Sequence, residues 1–84
     1  MMAGRLVLYT RARCGLCDEM LAMARPVADR YGFDIEPVDI DRDPDLARRY
    51  NTAIPVLEFD GAEIARYHLD ADALERALAT APDT

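Results

Sequence analysis

The two cysteines of this 84-residue chain lie three positions apart, as Cys14-Gly15-Leu16-Cys17, between two different sequence patterns. Before them, residues 6–10 (LVLYT) form a short apolar run without helical period, typical of a strand buried on both faces. After them, apolar residues recur at spacings of three and four up to Tyr31, which predicts an amphipathic helix that ends at Gly32. Pro26 lies inside this pattern, and we expect a kink there because the period continues beyond it. The cysteine pair must therefore join a buried strand to a helix N-terminus.

A second strand and a second helix are predicted downstream. Residues 33–40 alternate between apolar and polar, with Pro37 at an edge position or a bulge. The residues of this strand expected to face the core are Phe33, Ile35, Val38 and Ile40. A short helix fits residues 43–50, with Asp41 or Asp43 as its N-cap and Pro44 in its first turn.

The last third of the chain predicts a hairpin and a final helix. A strand over residues 54–59 and a returning strand over 63–67 flank Asp60-Gly61, a strong signal for a tight hairpin turn. Asp70 is expected to cap the final helix, whose buried side consists of Leu74, Ala77 and Leu78. The order is βαβαββα, with the first two strands parallel by right-handed crossover. We therefore predict a single α/β domain over residues 1–84, with a four-stranded mixed sheet flanked by three helices.

The composition excludes several classes of function. Sixteen acidic residues outnumber ten basic ones, giving a net charge of −6, and neither nucleic acid nor anionic lipid favours such a partner. The chain has no Ser or Lys and a single His, which excludes a serine nucleophile, a P-loop lysine and a histidine metal cluster. No apolar run approaches the ~20 residues of a membrane helix, and the first residues do not resemble a secretory signal. A lone C-x-x-C is typical of cytosolic redox exchange or a metal half-site, so we expect a cytoplasmic protein.

The position of the cysteines predicts a division of labour between them. A helix N-terminus stabilises an anion, so the thiolate of Cys14 is expected to be favoured. Cys17, one turn into the helix on the same face, is expected to be more buried and within reach of Cys14. An exposed sulfur would thus attack a disulfide, and a buried one would resolve the mixed disulfide. Arg11 and Arg13 add positive charge nearby and either recognise a substrate carboxylate or solvate the loop.

Three further features are predicted to shape the same site. Gly15 lets a substrate backbone approach closely, and Leu16 presents an apolar side chain beside the nucleophile. An apolar residue followed by proline, Ile54-Pro55, just before a buried strand suggests a cis peptide bond, which is uncommon even before proline. Such a loop would expose the backbone N–H and C=O of Ile54 beside Cys14.

Two other side chains receive structural interpretations. His68 is expected in a solvated loop, because nothing in the spacing brings it near the cysteines. Met20 and Met23 are expected to pack in the helix interface rather than to form a binding face.

Residues 8–17, the stretch Thr52-Ala53-Ile54-Pro55-Val56-Leu57 and the Asp60-Gly61 hairpin resemble the glutaredoxin-like family of the thioredoxin superfamily. The resemblance implies a thioredoxin/glutaredoxin fold and a dithiol–disulfide oxidoreductase with Cys14 attacking, Cys17 resolving and Pro55 in cis. Typical glutaredoxins carry Pro-Tyr between the cysteines, where this chain has Gly-Leu. They also hold glutathione with a Gly-Gly pair and an acid after the last strand; here residues 65–70 read ARYHLD, so that the acid is Asp70.

Two functions follow from these residues. The first is a cytosolic oxidoreductase, expected to be monomeric, that reduces protein or glutathione-mixed disulfides and needs no cofactor beyond glutathione as a candidate co-substrate. The second is an iron–sulfur cluster or metal carrier using Cys14, which would require a second chain because one chain supplies two thiolates where a cluster takes four ligands. Neither a membrane nor nucleic acid is an expected partner, and no metal site within a single chain is predicted.

Overall fold

The architecture is that of a computed structural model, which describes residues 4–80; residues 1–3 and 81–84 of the predicted domain lie outside it. The strands are β1 (Leu6–Thr10), β2 (Ile35–Asp39), β3 (Val56–Phe59) and β4 (Ala62–Arg66). The helices are α1 (Gly15–Arg30), α2 (Pro44–Tyr50) and α3 (Ala71–Ala79), with a short 3-10 turn over Ile40–Arg42 before α2. The predicted βαβαββα order is confirmed.

The four strands form one mixed sheet in the order β2-β1-β3-β4. β1 pairs in parallel with β2 and antiparallel with β3, and β3 and β4 form an antiparallel hairpin. Pro37 lies in β2, at the edge of the sheet, where a residue without an N–H is tolerated. Asp60 and Gly61 both adopt positive φ, as a two-residue hairpin turn of the mirror-image type requires.

Five strand boundaries differ from the prediction by one or two residues, at both ends of β2 and β4 and at the start of β3. β2 ends at Asp39, because the chain turns into the 3-10 segment and buries Ile40 completely. β3 begins at Val56, since Pro55 has no N–H to contribute to a strand ladder. β4 ends at Arg66, and Tyr67, predicted to close that strand, adopts φ +68 instead.

Both ends of α1 are closed by hydrogen bonds that follow from its sequence. At its start, the Cys14 side chain accepts a hydrogen bond from the N–H of Cys17. At its end, Gly32 has φ +78, and the N–H groups of Gly32 and Phe33 donate to the carbonyls of Asp29 and Ala28. This Schellman arrangement explains why glycine ends the helix. The helix continues through Pro26, as the uninterrupted apolar period predicts.

Two apolar clusters cover opposite faces of the sheet, because neighbouring residues of a strand point to opposite sides. The larger cluster joins α1 and α3 to one face, on which Leu6 and Leu8 lie. The smaller one consists of Ile40, Tyr50, Ala53 and Val56, with Tyr9, Leu46 and Ile54 packed against it. β1 is therefore covered on both faces, as its unbroken apolar run predicts.

Met20 and Met23 provide a matched test of this packing. The side chain of Met20 is 1% exposed in the larger cluster, whereas Met23, three residues further along α1, is 46% exposed. Met20→Ala leaves a cavity and is expected to lower the free energy of unfolding by about 2–5 kcal/mol. Met23→Ala is expected to change it by no more than about 0.5 kcal/mol. Urea unfolding of both variants measures the difference, and equal losses would contradict this packing.

Candidate active site

Three strand ends meet at one edge of the sheet. β1 finishes where β3 begins, because the two strands are antiparallel with Tyr9 opposite Val56. β4 finishes at the same edge, with Arg66 opposite Val56. The N–H of Tyr67 then donates to the carbonyl of Pro55 at 2.9 Å. This pairing brings together the loop that carries Cys14, the residues that precede β3 and the turn that follows β4.

The cysteine pair lies at the N-terminus of α1. Cys14 is the N-cap residue, with extended backbone angles (φ −109°, ψ 104°), and its Sγ accepts a hydrogen bond from the Cys17 N–H at 3.1 Å. The two cysteines are joined by a disulfide, and their Cα atoms are 5.2 Å apart. Cys14 is partly exposed, whereas Cys17 is 1% exposed. The predicted difference in burial between the two sulfurs is thus observed.

This geometry suits reversible thiol chemistry. The Cys17 N–H that donates to Cys14 Sγ lies at the positive end of the helix dipole, a position that favours a thiolate over a thiol. Gly15 and Leu16 are both exposed beside Cys14, and a Cβ atom added at Gly15 would meet nothing within 4 Å. The surface around Cys14 is therefore open to a second molecule, while Cys17 is shielded from solvent.

Arg11 has partners within the chain. Its guanidinium donates to both carboxylate oxygens of Asp41, at 2.7 and 3.1 Å, and to the backbone carbonyl of Asn51 at 3.1 Å. The hydrogen bond to Asp41 raises the pKa of Arg11, and the same bond lowers the pKa of Asp41. The positive charge that Arg11 adds near Cys14 is paired with the carboxylate of Asp41. Arg11 ties the loop before Cys14 to the segments that follow β2 and α2, and its role in substrate binding stays a prediction.

Arg13 differs from Arg11. It is exposed, it adopts φ +61 immediately before Cys14, and no hydrogen bond or ion pair involves it within residues 4–80. Of the two arginines, Arg13 is the one whose charge is available to another molecule. Its role in substrate binding stays a prediction.

The peptide bond between Ile54 and Pro55 is cis in the structure. Pro55 is fully buried, and Ile54 is half-buried against the smaller apolar cluster. Within the part of the chain that the structure describes, neither the N–H nor the C=O of Ile54 has a hydrogen-bond partner. Both the N–H and the C=O of Ile54 are therefore free to hydrogen-bond to an extended backbone that lies along this edge.

The smaller apolar cluster, against which Ile54 packs, also contains a polar contact. Tyr50 stacks on Tyr9 with ring centroids 4.4 Å apart, and its hydroxyl donates to the Glu58 carboxylate at 3.0 Å. Burial, together with the hydrogen bond to Glu58, raises the pKa of Tyr50 to about 12. The phenol thus stays neutral at physiological pH, and Ile54 rests on a packed, hydrogen-bonded support.

Asp70 acts as a helix cap. Its carboxylate accepts a hydrogen bond from the N–H of Asp72 at 3.0 Å, as predicted for the residue that begins α3. The contact with glutathione that the family resemblance implies for Asp70 stays a prediction.

Sequence reasoning missed a groove beside the cysteines. Leu16 lies in the same groove as residues of α1 and of the turn after β4; its lining consists of Leu16, Glu19, Met20, Met23, Tyr67, His68 and Leu69. His68 is exposed in the turn after β4, as predicted for a solvated loop residue, and it lines this groove. The predicted interior packing of Met23 is wrong, because its side chain is 46% exposed. One signal was present: Met23 follows Leu16 by seven residues, a spacing that returns to the same helix face. Nothing local in the sequence indicated Tyr67.

Within residues 4–80, no three His, Cys, Asp or Glu side chains are grouped so as to hold a metal ion. None of the helices in this described range is both long enough and apolar enough to cross a bilayer.

Comparisons with known proteins agree with this architecture. The model of the family described as Glutaredoxin-like domain (DUF836) matches residues 5–79. The solution structure of protein Ne2328 from Nitrosomonas europaea is 34% identical, with a TM-score of 0.78 over 92% of this chain and 93% of that one. The X-ray structure of protein XcR50 from X. campestris is 37% identical, with a TM-score of 0.66 over 92% and 99%. A mutant thioredoxin from Halobacterium salinarum, at 22% identity and TM-score 0.66 over 98% and 77%, shares the thioredoxin fold.

The ion pair of Arg11 with Asp41 predicts a specific pH response. Because the hydrogen bond from Arg11 lowers the pKa of Asp41, Arg11→Gln is expected to return that pKa towards its ordinary value. The stabilisation from the pair is present above the ordinary aspartate pKa and is lost as the pH falls through the lowered one. NMR titration of the Asp41 carboxyl carbon measures the shift. Arg13→Gln is the matched control, and an Asp41 pKa that is the same in all three proteins would refute the pairing.

Proposed function

This chain belongs to the Glutaredoxin-like domain family, and on that premise we propose that it is a thiol–disulfide oxidoreductase that reduces protein or glutathione-mixed disulfides. The fold and the cysteine pair fit thiol redox chemistry in general. The observation that carries the proposal is the asymmetry of the pair: a partly exposed sulfur at the helix N-cap and a buried one within bonding distance.

The proposed reaction takes two exchange steps. The Cys14 thiolate attacks one sulfur of the substrate disulfide; a bond forms to that sulfur, the substrate S–S bond breaks, and the departing thiolate takes a proton from water. The thiolate of Cys17, its proton lost to solvent, then attacks Cys14 Sγ and releases the second substrate thiol. Two electrons have passed to the substrate, and the Cys14–Cys17 disulfide remains. A thiol reductant restores the pair by the reverse exchange.

Other residues are proposed to hold the substrate while this exchange occurs. The free N–H and C=O of Ile54 suit an extended peptide or tripeptide backbone, with Pro55 fixing the loop. Gly15 leaves room for that backbone and Leu16 offers apolar contact. Arg13, which is exposed beside Cys14, would meet a substrate carboxylate, and Arg11 would support the site by holding the loop. Asp70 would contribute through the start of α3.

We also propose that the protein works as a monomer in the cytoplasm. A lone cysteine pair that must cycle between dithiol and disulfide needs a compartment where thiols are kept reduced. The acidic net charge of −6 is consistent with partners other than nucleic acid or anionic membranes.

The proposed order of attack is tested by trapping the mixed disulfide. Cys17→Ala retains the nucleophile but cannot resolve the intermediate, so it is expected to accumulate a covalent adduct with a disulfide substrate. Cys14→Ala is expected to trap nothing and to lose disulfide reductase activity by a factor of at least about 100, because one sulfur carries the first step. Intact-protein mass spectrometry counts the adducts.

The two single variants serve as controls for each other, because each retains one of the two cysteines. Cys14→Ala that keeps full reductase activity, or traps substrate through Cys17, would contradict the assignment. Circular dichroism of both variants excludes loss of folding as the cause of inactivity.

A further inference from the structure

Exposed apolar surface is concentrated in the groove beside the cysteines. Among the described residues, the large hydrophobic side chains that are exposed are Leu16, Met23 and Tyr67, at 38%, 46% and 41%. All three line this groove, although they come from α1 and from the turn after β4. Exposed apolar residues that are grouped mark binding surfaces more often than scattered ones do. The grouping here is created by the fold and not by proximity in sequence.

Tyr67 is held in the groove wall despite its exposure. Its N–H donates to the Pro55 carbonyl at 2.9 Å, and its hydroxyl donates to the Thr52 carbonyl at 2.7 Å. Its φ of +68 is a conformation that a bulky residue rarely adopts, and such conformations persist where surrounding contacts enforce them. The ring is therefore fixed at both ends and presents a preformed apolar wall.

The groove has an apolar floor and a polar rim. Met20 and Leu69, both buried, form the floor, and Glu19 and His68 lie at the rim. Within the described range, Glu19 takes part in no ion pair, and the exposed Asp18 lies beside it in sequence. A cationic group on a bound molecule would therefore complement the rim.

The volume of the groove and its position beside the cysteines indicate what kind of group it could bind. Its volume is about 100 Å³, well below the roughly 300–1,000 Å³ of small-molecule pockets, so one side chain fits better than a whole small molecule. The groove lies next to the redox centre, because Leu16 in its lining stands between the two cysteines in sequence. A polypeptide whose sulfur is bonded to Cys14 therefore has a neighbouring side chain within reach of it.

We propose that the groove binds a large apolar side chain close to the cysteine of a protein disulfide, with an adjacent Lys or Arg of that protein facing Glu19. The inference rests on the proposed oxidoreductase function and names the substrate class: polypeptide disulfides with an apolar and basic flank. Glutathione, with two carboxylates and no large apolar side chain, does not use the groove.

The first test compares substrates. Each substrate is a peptide with one cysteine that is disulfide-bonded to a small thiol. Next to this cysteine the peptide carries a Leu-Lys, Ala-Lys or Leu-Glu pair, and the pair is moved through the neighbouring positions in turn. At the best position, kcat/KM is expected to be about 10-fold higher for Leu-Lys than for Ala-Lys, the lower end of what apolar pockets achieve. Leu-Glu is expected to fall below Leu-Lys. Oxidised glutathione is assayed alongside as the substrate without either feature.

The second test substitutes residues in and near the groove and measures how the preference among the peptide substrates changes. Met23→Asp is expected to reduce the Leu-Lys to Ala-Lys ratio of kcat/KM to near one. Ala22→Asp adds the same charge at an adjacent exposed position of α1 outside the groove and is expected to keep the ratio. Glu19→Lys is expected to reverse the preference between Leu-Lys and Leu-Glu, which a variant that merely unfolded would not do.

The outcomes separate the two proposals. Turnover of all the disulfides at similar kcat/KM, or an equal loss of the ratio in Met23→Asp and Ala22→Asp, would overturn the groove assignment and leave the oxidoreductase standing. Reduction of none of the disulfides would overturn both.

Discussion

The antiparallel pairing of β1 with β3 is the constraint on which the site depends. The cysteines follow one strand and the cis proline precedes the other, far apart in the chain. They share an edge of the sheet because Tyr9 is opposite Val56. A shift of this register by one residue would turn Leu57 out of the larger core and Val56 out of the smaller one, since neighbouring residues face opposite sides. The packing of two cores thus fixes the position of the chemistry.

The sulfur atom of Cys14 has both a structural role and a chemical role. Cys14 Sγ caps α1 by accepting the Cys17 N–H, in the place that an Asp or Ser side chain occupies in other helices. In the proposed reaction the same donor stabilises the negative charge of the Cys14 thiolate. The folding of the first helical turn and the reactivity proposed for Cys14 therefore have a common physical cause. Asp43 and Asp70 cap α2 and α3 in the same way through their carboxylates.

Local patterns in the sequence were sufficient for most of the fold. The period of α1, the caps at Asp43 and Asp70 and the Asp60-Gly61 turn depend on residues close in sequence, and all are confirmed. Apart from strand boundaries and the exposure of Met23, what the sequence did not predict is contacts between distant segments. Arg11 pairs with Asp41, thirty residues away, and Tyr67 reaches the Thr52 carbonyl. Neither contact has a sequence pattern, because each arises only when the strand ends have been brought together. The groove was missed for the same reason.

The placement of Pro37 has a consequence for how the molecule meets others of its kind. The outer strand β2 is five residues long, and this proline stands at its centre. A strand from a neighbouring molecule that extended the sheet there would meet the rigid pyrrolidine ring at the centre of the edge. Pro37 therefore opposes the growth of the sheet along that side.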